Sequence, residues 1–150
     1  MFSGNFQHVI DSKGRVSVPA SFRDLVQATG DSTVFITRHP LSTPRCLEAY
    51  PQAAWKEMSQ KLLNLNRFDQ NVMRLEHLFV GSAHRCDIDN QGRILIPATL
   101  RESAALGKEV VFVGAADRFR IFDRRAWEEA LDDAAATFKA NPELLARMSL

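Results

Sequence analysis

The chain has 150 residues, 45% of them hydrophobic and 25% charged, so it can bury a sizeable core. Its net charge of +1 does not by itself announce a nucleic-acid or membrane partner. No run approaches the roughly eighteen to twenty apolar residues of a membrane span, and the opening Met1 to His8 lacks a basic stretch followed by an apolar core, so a cytoplasmic protein without a membrane partner is expected. Two cysteines, Cys46 and Cys86, suit a reducing compartment and make no disulfide framework.

In chain order, residues 6–10 and 16–18 are short β-prone runs on either side of Asp11-Ser12-Lys13-Gly14. Gly14 can take the positive φ of a tight turn, so this segment reads as a hairpin. Pro19 stops the strand and suits the first turn of a helix, predicted over residues 20–27 and closed near Gly30. Residues 33–37 and 47–50 read as strands, and Trp55, Met58, Leu62 and Leu63 mark an amphipathic helix. A second helical pattern, Phe68, Val72, Leu75 and Phe79, follows Asp69 as its N-cap.

Beyond that helix the pattern returns. A second hairpin is predicted across Asn90-Gln91-Gly92, then a short helix over residues 98–105 ending near Gly107, and strands at 109–113 and 119–122. The C-terminus reads as helix, with Trp127, Ala130, Leu131, Ala134 and Phe138 on one face and a last turn of helix after Asn141-Pro142-Glu143. Strands followed by helices in each half make an α+β protein.

The return is a duplication. Residues 11–23 and 89–101, 78 positions apart, share six of thirteen residues: Asp, Gly, Arg, Pro, Ala and Arg. Val34-Phe35-Ile36 answers Val111-Phe112-Val113, and Trp55 answers Trp127. The offset drifts from 78 to 77 to 72, so copy one carries the longer excursion between its later strands, over residues 38–45. Two copies make a pseudo-twofold pair; a solenoid needs three or more stacked units.

The chemistry of the repeat lies in Asp-x-x-x-Arg. Asp11 can accept hydrogen bonds from the amides of its own turn or hold Arg15 at a fixed angle, and Asp89 can do the same for Arg93. A guanidinium directly after a turn glycine, Gly14 or Gly92, projects donors that suit phosphates or guanine edges. Lys13 adds a cation in the first copy, where the second has Gln91. Arg23 and Arg101 follow the Pro-Ala-(Ser/Thr) step and read equally as structural ion pairs or as phosphate contacts.

Other chemistry is thin. His84 and Cys86 stand in an H-x-C spacing with no further ligands, so no metal is expected. No nucleophile elbow, glycine-rich phosphate loop or opposed carboxylate pair is present; no catalytic residue and no cofactor are expected.

The series Phe2-x-Gly4-x-Phe6-x-His8-x-x-Asp11-x-Lys13-Gly14-Arg15-Val16-x-Val18-Pro19-Ala20-x-Phe22-Arg23, then Cys46-Leu47-x-x-Tyr50-Pro51-x-x-x-Trp55, then the second Asp89 to Arg101 motif, resembles the MraZ family of bacterial transcription factors over essentially the whole chain. The resemblance implies duplicated AbrB-like swapped-hairpin β-barrel halves with pseudo-twofold symmetry and helices after each half. The first half would span residues 1–66, a helical connector 67–80 and the second half 81–150. It implies a ring-shaped homo-oligomer in the cytoplasm, associated with the nucleoid. That ring would bind double-stranded DNA at short direct repeats in the promoter of the division and cell-wall gene cluster, its own gene included, usually as a repressor. The family's signatures fall on Asp11/Arg15 and Asp89/Arg93, with Lys13, Arg15 and Arg93 as expected DNA contacts and Arg23 and Arg101 ranked behind them. Two other classes are open at this stage: a ring binding an acidic protein, and an enzyme with both Asp/Arg pairs drawn into one cleft.

Overall fold

The computed structural model describes residues 1–150. Copy one supplies strand β1 (Asn5–Val9), strand β2 (Arg15–Ser17), helix α1 (Ala20–Ala28), strands β3 (Thr33–Arg38) and β4 (Leu47–Pro51), and helix α2 (Gln52–Leu63). Helix α3 (Gln70–Phe79) follows, started by Asp69, whose carboxylate accepts the Asn71 amide. Copy two supplies β5 (His84–Asp87), β6 (Arg93–Leu95), α4 (Ala98–Ser103), β7 (Glu109–Ala115), β8 (Arg118–Asp123) and α5 (Arg124–Ala140), with α6 (Glu143–Arg147) at the end.

The two predicted hairpins do not form as ladders. β1 pairs with β7 of the other copy, Phe6 opposite Phe112, and β2 pairs with β6, Val16 opposite Ile94. The turn between β1 and β2 closes locally, with the Asp11 amide donating to the Arg15 carbonyl, and then the chains part. Two sequence-equivalent strands offer the same alternation of apolar residues, so local and exchanged partners look alike in sequence.

All ladders are antiparallel, and the six-stranded order β1-β7-β8-β4-β3-β5 reads the same when the copies are interchanged. The pseudo-twofold therefore passes between β8 and β4 and through the separate β2–β6 ribbon. The copies differ where the offset drifts: β7 and β8 join through Ala116 and Asp117 alone, Ala116 at φ +69, while β3 and β4 are linked by the longer residues 39–46.

The main core lies on one face of this sheet. Val34, Ile36, Leu47, Ala49, Val110, Phe112, Phe119 and Ile121 point to it from the strands. The ribbon covers them with Val16, Val18, Ile94 and Ile96, α1 with Phe22 and Val26, and α4 with Leu100 and Ala104. Helix α4 stops at Ser103, before the predicted residue 105, because Ala105 turns left-handed at φ +51.

The opposite face carries two smaller contacts. Trp55 of α2 stacks between Phe35 and Phe79, with centroids 5.1 and 5.9 Å away. Trp127 of α5 packs on Phe122, Val111 and Val113. Only the beginning of α5 reaches the sheet: Ala126, Trp127 and Ala130 pack there, but Leu131 and Phe138 on the predicted apolar face stay substantially exposed.

Between these contacts sits a buried charge. Glu48 is 3% exposed and opposite Arg120 in the β4–β8 ladder, whose Nε donates to it at 3.0 Å. The Tyr50 hydroxyl also donates to Glu48, and the Arg118 guanidinium lies 4.5 Å from the Tyr50 ring centroid. Burial pushes the Glu48 carboxyl up, but the Tyr50 and Arg120 hydrogen bonds and the charges of His39 and Arg120 outweigh it and leave the group below its usual range. Glu48→Ala should lower stability by about 1–3 kcal/mol at neutral pH, because Tyr50 and Arg120 lose a buried acceptor. Because the folded carboxyl is the more acidic, this contribution is full above the usual value of 4.5 and is lost as pH falls through the lower folded value. Urea melts of wild type and variant should converge in acid; a constant gap down to pH 3 would contradict this.

Candidate nucleic-acid interface

The Asp-x-x-x-Arg turns are built alike. Asp11 Oδ1 accepts the amides of Lys13 and Arg15, both at 2.9 Å, and its Oδ2 accepts Arg15 Nε at 2.8 Å. Both readings of this aspartate thus hold together: it closes the turn and it orients the arginine. Asp89 repeats the pattern, accepting Gln91 N at 2.9 Å and Arg93 N at 3.0 Å, with Arg93 Nε 3.4 Å from its second oxygen. Gly14 and Gly92 donate back to the aspartate carbonyls from φ +88 and +77, a conformation that excludes most side chains.

Backbone amides set the electrostatics. The Arg15 amide above all, then its guanidinium and the Lys13 amide, hold Asp11 below the usual carboxylate range against the upward push of desolvation. The Arg93 amide dominates in the same way at Asp89. Both aspartates are therefore anions at neutral pH and both arginines keep their tethers.

The ribbon then fixes where the arginines point. Val16 and Ile94 are buried, so the alternate residues Arg15, Ser17, Arg93 and Leu95 occupy the other face. Arg15 lies opposite Leu95 and Ser17 opposite Arg93, so the two guanidiniums stand at opposite ends of one short ribbon. Asp11 accepts Nε of Arg15, while Asp89 meets Nε of Arg93 only as a 3.4 Å ion pair that makes no hydrogen bond; in both copies the terminal Nη donors are left for something outside. Lys13 at the tip of the first turn is exposed, as is Gln91 in the second.

Arg23 and Arg101 sit differently. Both are partly buried, and Arg23 Nη1 donates to the Val18 carbonyl at 2.8 Å. Each lies against the turn of the opposite copy, Arg23 at Gly92 and Arg101 at Gly14. Sequence reasoning missed Leu95, half exposed on the arginine-bearing face, and the alternation of residues 93–96 carried that signal.

Other candidate chemistry is dispersed. No three His, Cys, Asp or Glu side chains are placed to hold a metal ion. Cys86 is buried, and burial together with the Asp87 charge pushes its thiol up to about 12. No helix is long and apolar enough to cross a membrane.

Fold and site together define a duplicated, strand-exchanged α+β protein that presents two aspartate-tethered arginines on one two-stranded ribbon. The chain belongs to the MraZ family: the family model described as "MraZ protein, putative antitoxin-like" matches residues 1–76 and again 79–147. Proteins named transcriptional regulator MraZ resemble it closely. One from Anaeromyxobacter dehalogenans (strain 2CP-C) is 40% identical over 131 residues, 87% of this chain and 90% of the relative. Others from Nitrosomonas eutropha and Thioalkalivibrio sulfidiphilus are each 38% identical, over 91% and 89% of this chain and 90% and 87% of those relatives.

Proposed function

We propose that this member of a family of transcriptional regulators is a sequence-specific binder of double-stranded DNA and acts without catalysis or cofactor. The observation that carries the reading is the pair of tethered arginines, Arg15 and Arg93, with their Nη donors free on one ribbon. A two-stranded ribbon fits the DNA major groove, where arginine pairs with guanine O6 and N7. Lys13 joins them as a primary contact, and Leu95 offers an apolar surface of the kind that meets a thymine methyl. Arg23 and Arg101 rank behind. Asp11, Gly14, Asp89 and Gly92 build the turns.

The family resemblance supports the finer reading: AbrB-like swapped-hairpin halves over residues 1–66 and 81–150 with a connector at 67–80, acting in the cytoplasm at the nucleoid. The targets would be short direct repeats in the promoter of the division and cell-wall gene cluster, including the protein's own gene, with repression as the usual outcome. A protomer of net charge +1 binds DNA weakly alone, so a ring that lays several ribbons on successive repeats supplies affinity through effective concentration. Exposed apolar residues support self-association: Phe68 is 97% exposed between α2 and α3, with Leu63, Leu65 and Met73 nearby, and Leu131, Leu144 and Met148 are exposed near the C-terminus.

A gel shift with the promoter fragment upstream of the protein's own gene tests the reading, against a scrambled fragment of equal length. Retardation of the first at concentrations that leave the second free is expected. Light scattering at micromolar protein should give a multiple of 16.9 kDa. Equal retardation of both fragments would remove sequence-specific recognition, and a monomer mass would remove the ring.

A further inference from the structure

Arg23 and Arg101 occupy places that a DNA contact alone does not explain. Arg23 lies on α1 in copy one, but its guanidinium packs on the turn of copy two: a Cβ on Gly92 would fall 2.5 Å from Arg23 Nη1 and 2.8 Å from its Cζ. Arg101, on α4 in copy two, packs in the same way on copy one, where a Cβ on Gly14 would fall 2.9 Å from Arg101 Cζ. At Gly92 the space a side chain would need is filled by Arg23 alone, and at Gly14 it is shared between Arg101 and the Ile96 carbonyl, 2.8 Å from such a Cβ and also from the opposite copy.

The backbone completes the link. Val18 donates its amide to the Gly92 carbonyl at 2.9 Å and accepts Arg23 Nη1 on its own carbonyl at 2.8 Å, so one residue of copy one holds both the turn of copy two and the arginine beneath it. Ile96 donates likewise to the Gly14 carbonyl at 2.9 Å. The mirror is incomplete, since the buried Arg101 Nε has no hydrogen-bond partner, and Arg101 holds its turn by packing.

We propose that Arg23 and Arg101 are cross-repeat positioning residues, each propping the arginine-bearing turn of the opposite half, so that the halves cannot present their turns independently. This rests on the turns being the DNA contacts. Copy-one substitutions on α1 then act at Asp89 to Arg93, and copy-two substitutions on α4 act at Asp11 to Arg15. A guanidinium is planar and fills the space over a glycine; the lysine ammonium keeps the charge but not the shape.

Hydrogen exchange measured by mass spectrometry on the intact oligomer separates this from a phosphate contact. Arg101→Ala should speed amide exchange in the peptide covering residues 11–15 by ~tenfold while leaving that covering 89–93 near wild type, and Arg23→Ala should do the reverse. Binding to the upstream promoter fragment, followed by anisotropy across a salt series, should weaken several-fold with an unchanged slope of log affinity against log salt. A lost phosphate contact would instead shallow that slope by roughly 0.9 for each contact. Arg101→Lys and Arg23→Lys should behave like the alanine variants, and they carry the same measurement if those fail to fold. Faster exchange confined to the substituted half, or unchanged exchange with a shallower slope and rescue by lysine, would overturn the proposal. A wild-type protein that ignores the promoter fragment would defeat the DNA reading, while the exchange arm would still report on the coupling.

Discussion

Arg15→Ala should abolish tight promoter binding while leaving the fold and assembly intact. The Arg15 side chain is 38% exposed and its one protein partner is Asp11, so its removal costs folding little: the melting temperature should stay within about two degrees. Asp11 keeps its two backbone donors, Lys13 N and Arg15 N, so the turn itself survives the substitution. The loss at DNA compounds. If one bidentate contact per subunit is worth ~1 kcal/mol or more, three engaged subunits lose ~3 kcal/mol, over a hundredfold in affinity. Arg93→Ala should act in the same direction but more weakly, because Gln91 stands where the first turn has the cation Lys13. Anisotropy on the promoter fragment reads the affinity, and light scattering confirms that the assembly is unchanged. Unaltered affinity, or loss of binding only through dissociation of the oligomer, would return Arg15 to a structural role.

What the sequence disclosed about this site follows from how local it is. Asp11, Gly14 and Arg15 act within five residues, and the turn's hydrogen bonds run among those same residues, so spacing alone points to them. The alternation of Val16 and Val18, and of Ile94 and Ile96, likewise announces strands with one buried face. The partner of each strand is a different matter. β2 could close on β1 or on β6 with the same burial of Val16, and the choice depends on how two equivalent halves interlock in space.

Long-range features stayed hidden for the same reason. Glu48 lies in Leu47-Glu48-Ala49-Tyr50, where alternation predicts a solvent-facing carboxylate; its burial depends on Arg120, 72 positions away. Arg23 looks like any helix-surface arginine until the Gly92 turn is placed against it. Apolar spacing on α5 announced a face, and the sheet covers only its start, through Trp127 and Ala130.

Gly114 shows how much of the fold hangs on one such contact, and Gly114→Ala should destabilise the protein by ~3 kcal/mol or more. The new Cβ would fall against Ser3 N and 2.5 Å from Phe2 C, and these are backbone atoms that cannot rotate away. The N-terminal segment is tied down there by Gly114 N to Gly4 O at 2.8 Å and Phe2 N to Ala116 O at 2.7 Å. Relief requires residues 2–4 to lift off, and Phe2 leaves the core with them. Phe2 is 6% exposed, with ring centroids 5.3 Å from Phe22 and 5.5 Å from Phe119, a burial whose loss typically costs about 3–5 kcal/mol. For a chain of this length a loss of ~3 kcal/mol corresponds to a fall in melting temperature of roughly 6–12 °C. Phe2→Ala should cost a similar amount, and the double variant little more than either alone, because both remove the same contact. Strictly additive losses, or a Gly114→Ala protein that melts with wild type, would mean that the N-terminal segment does not lie over β7.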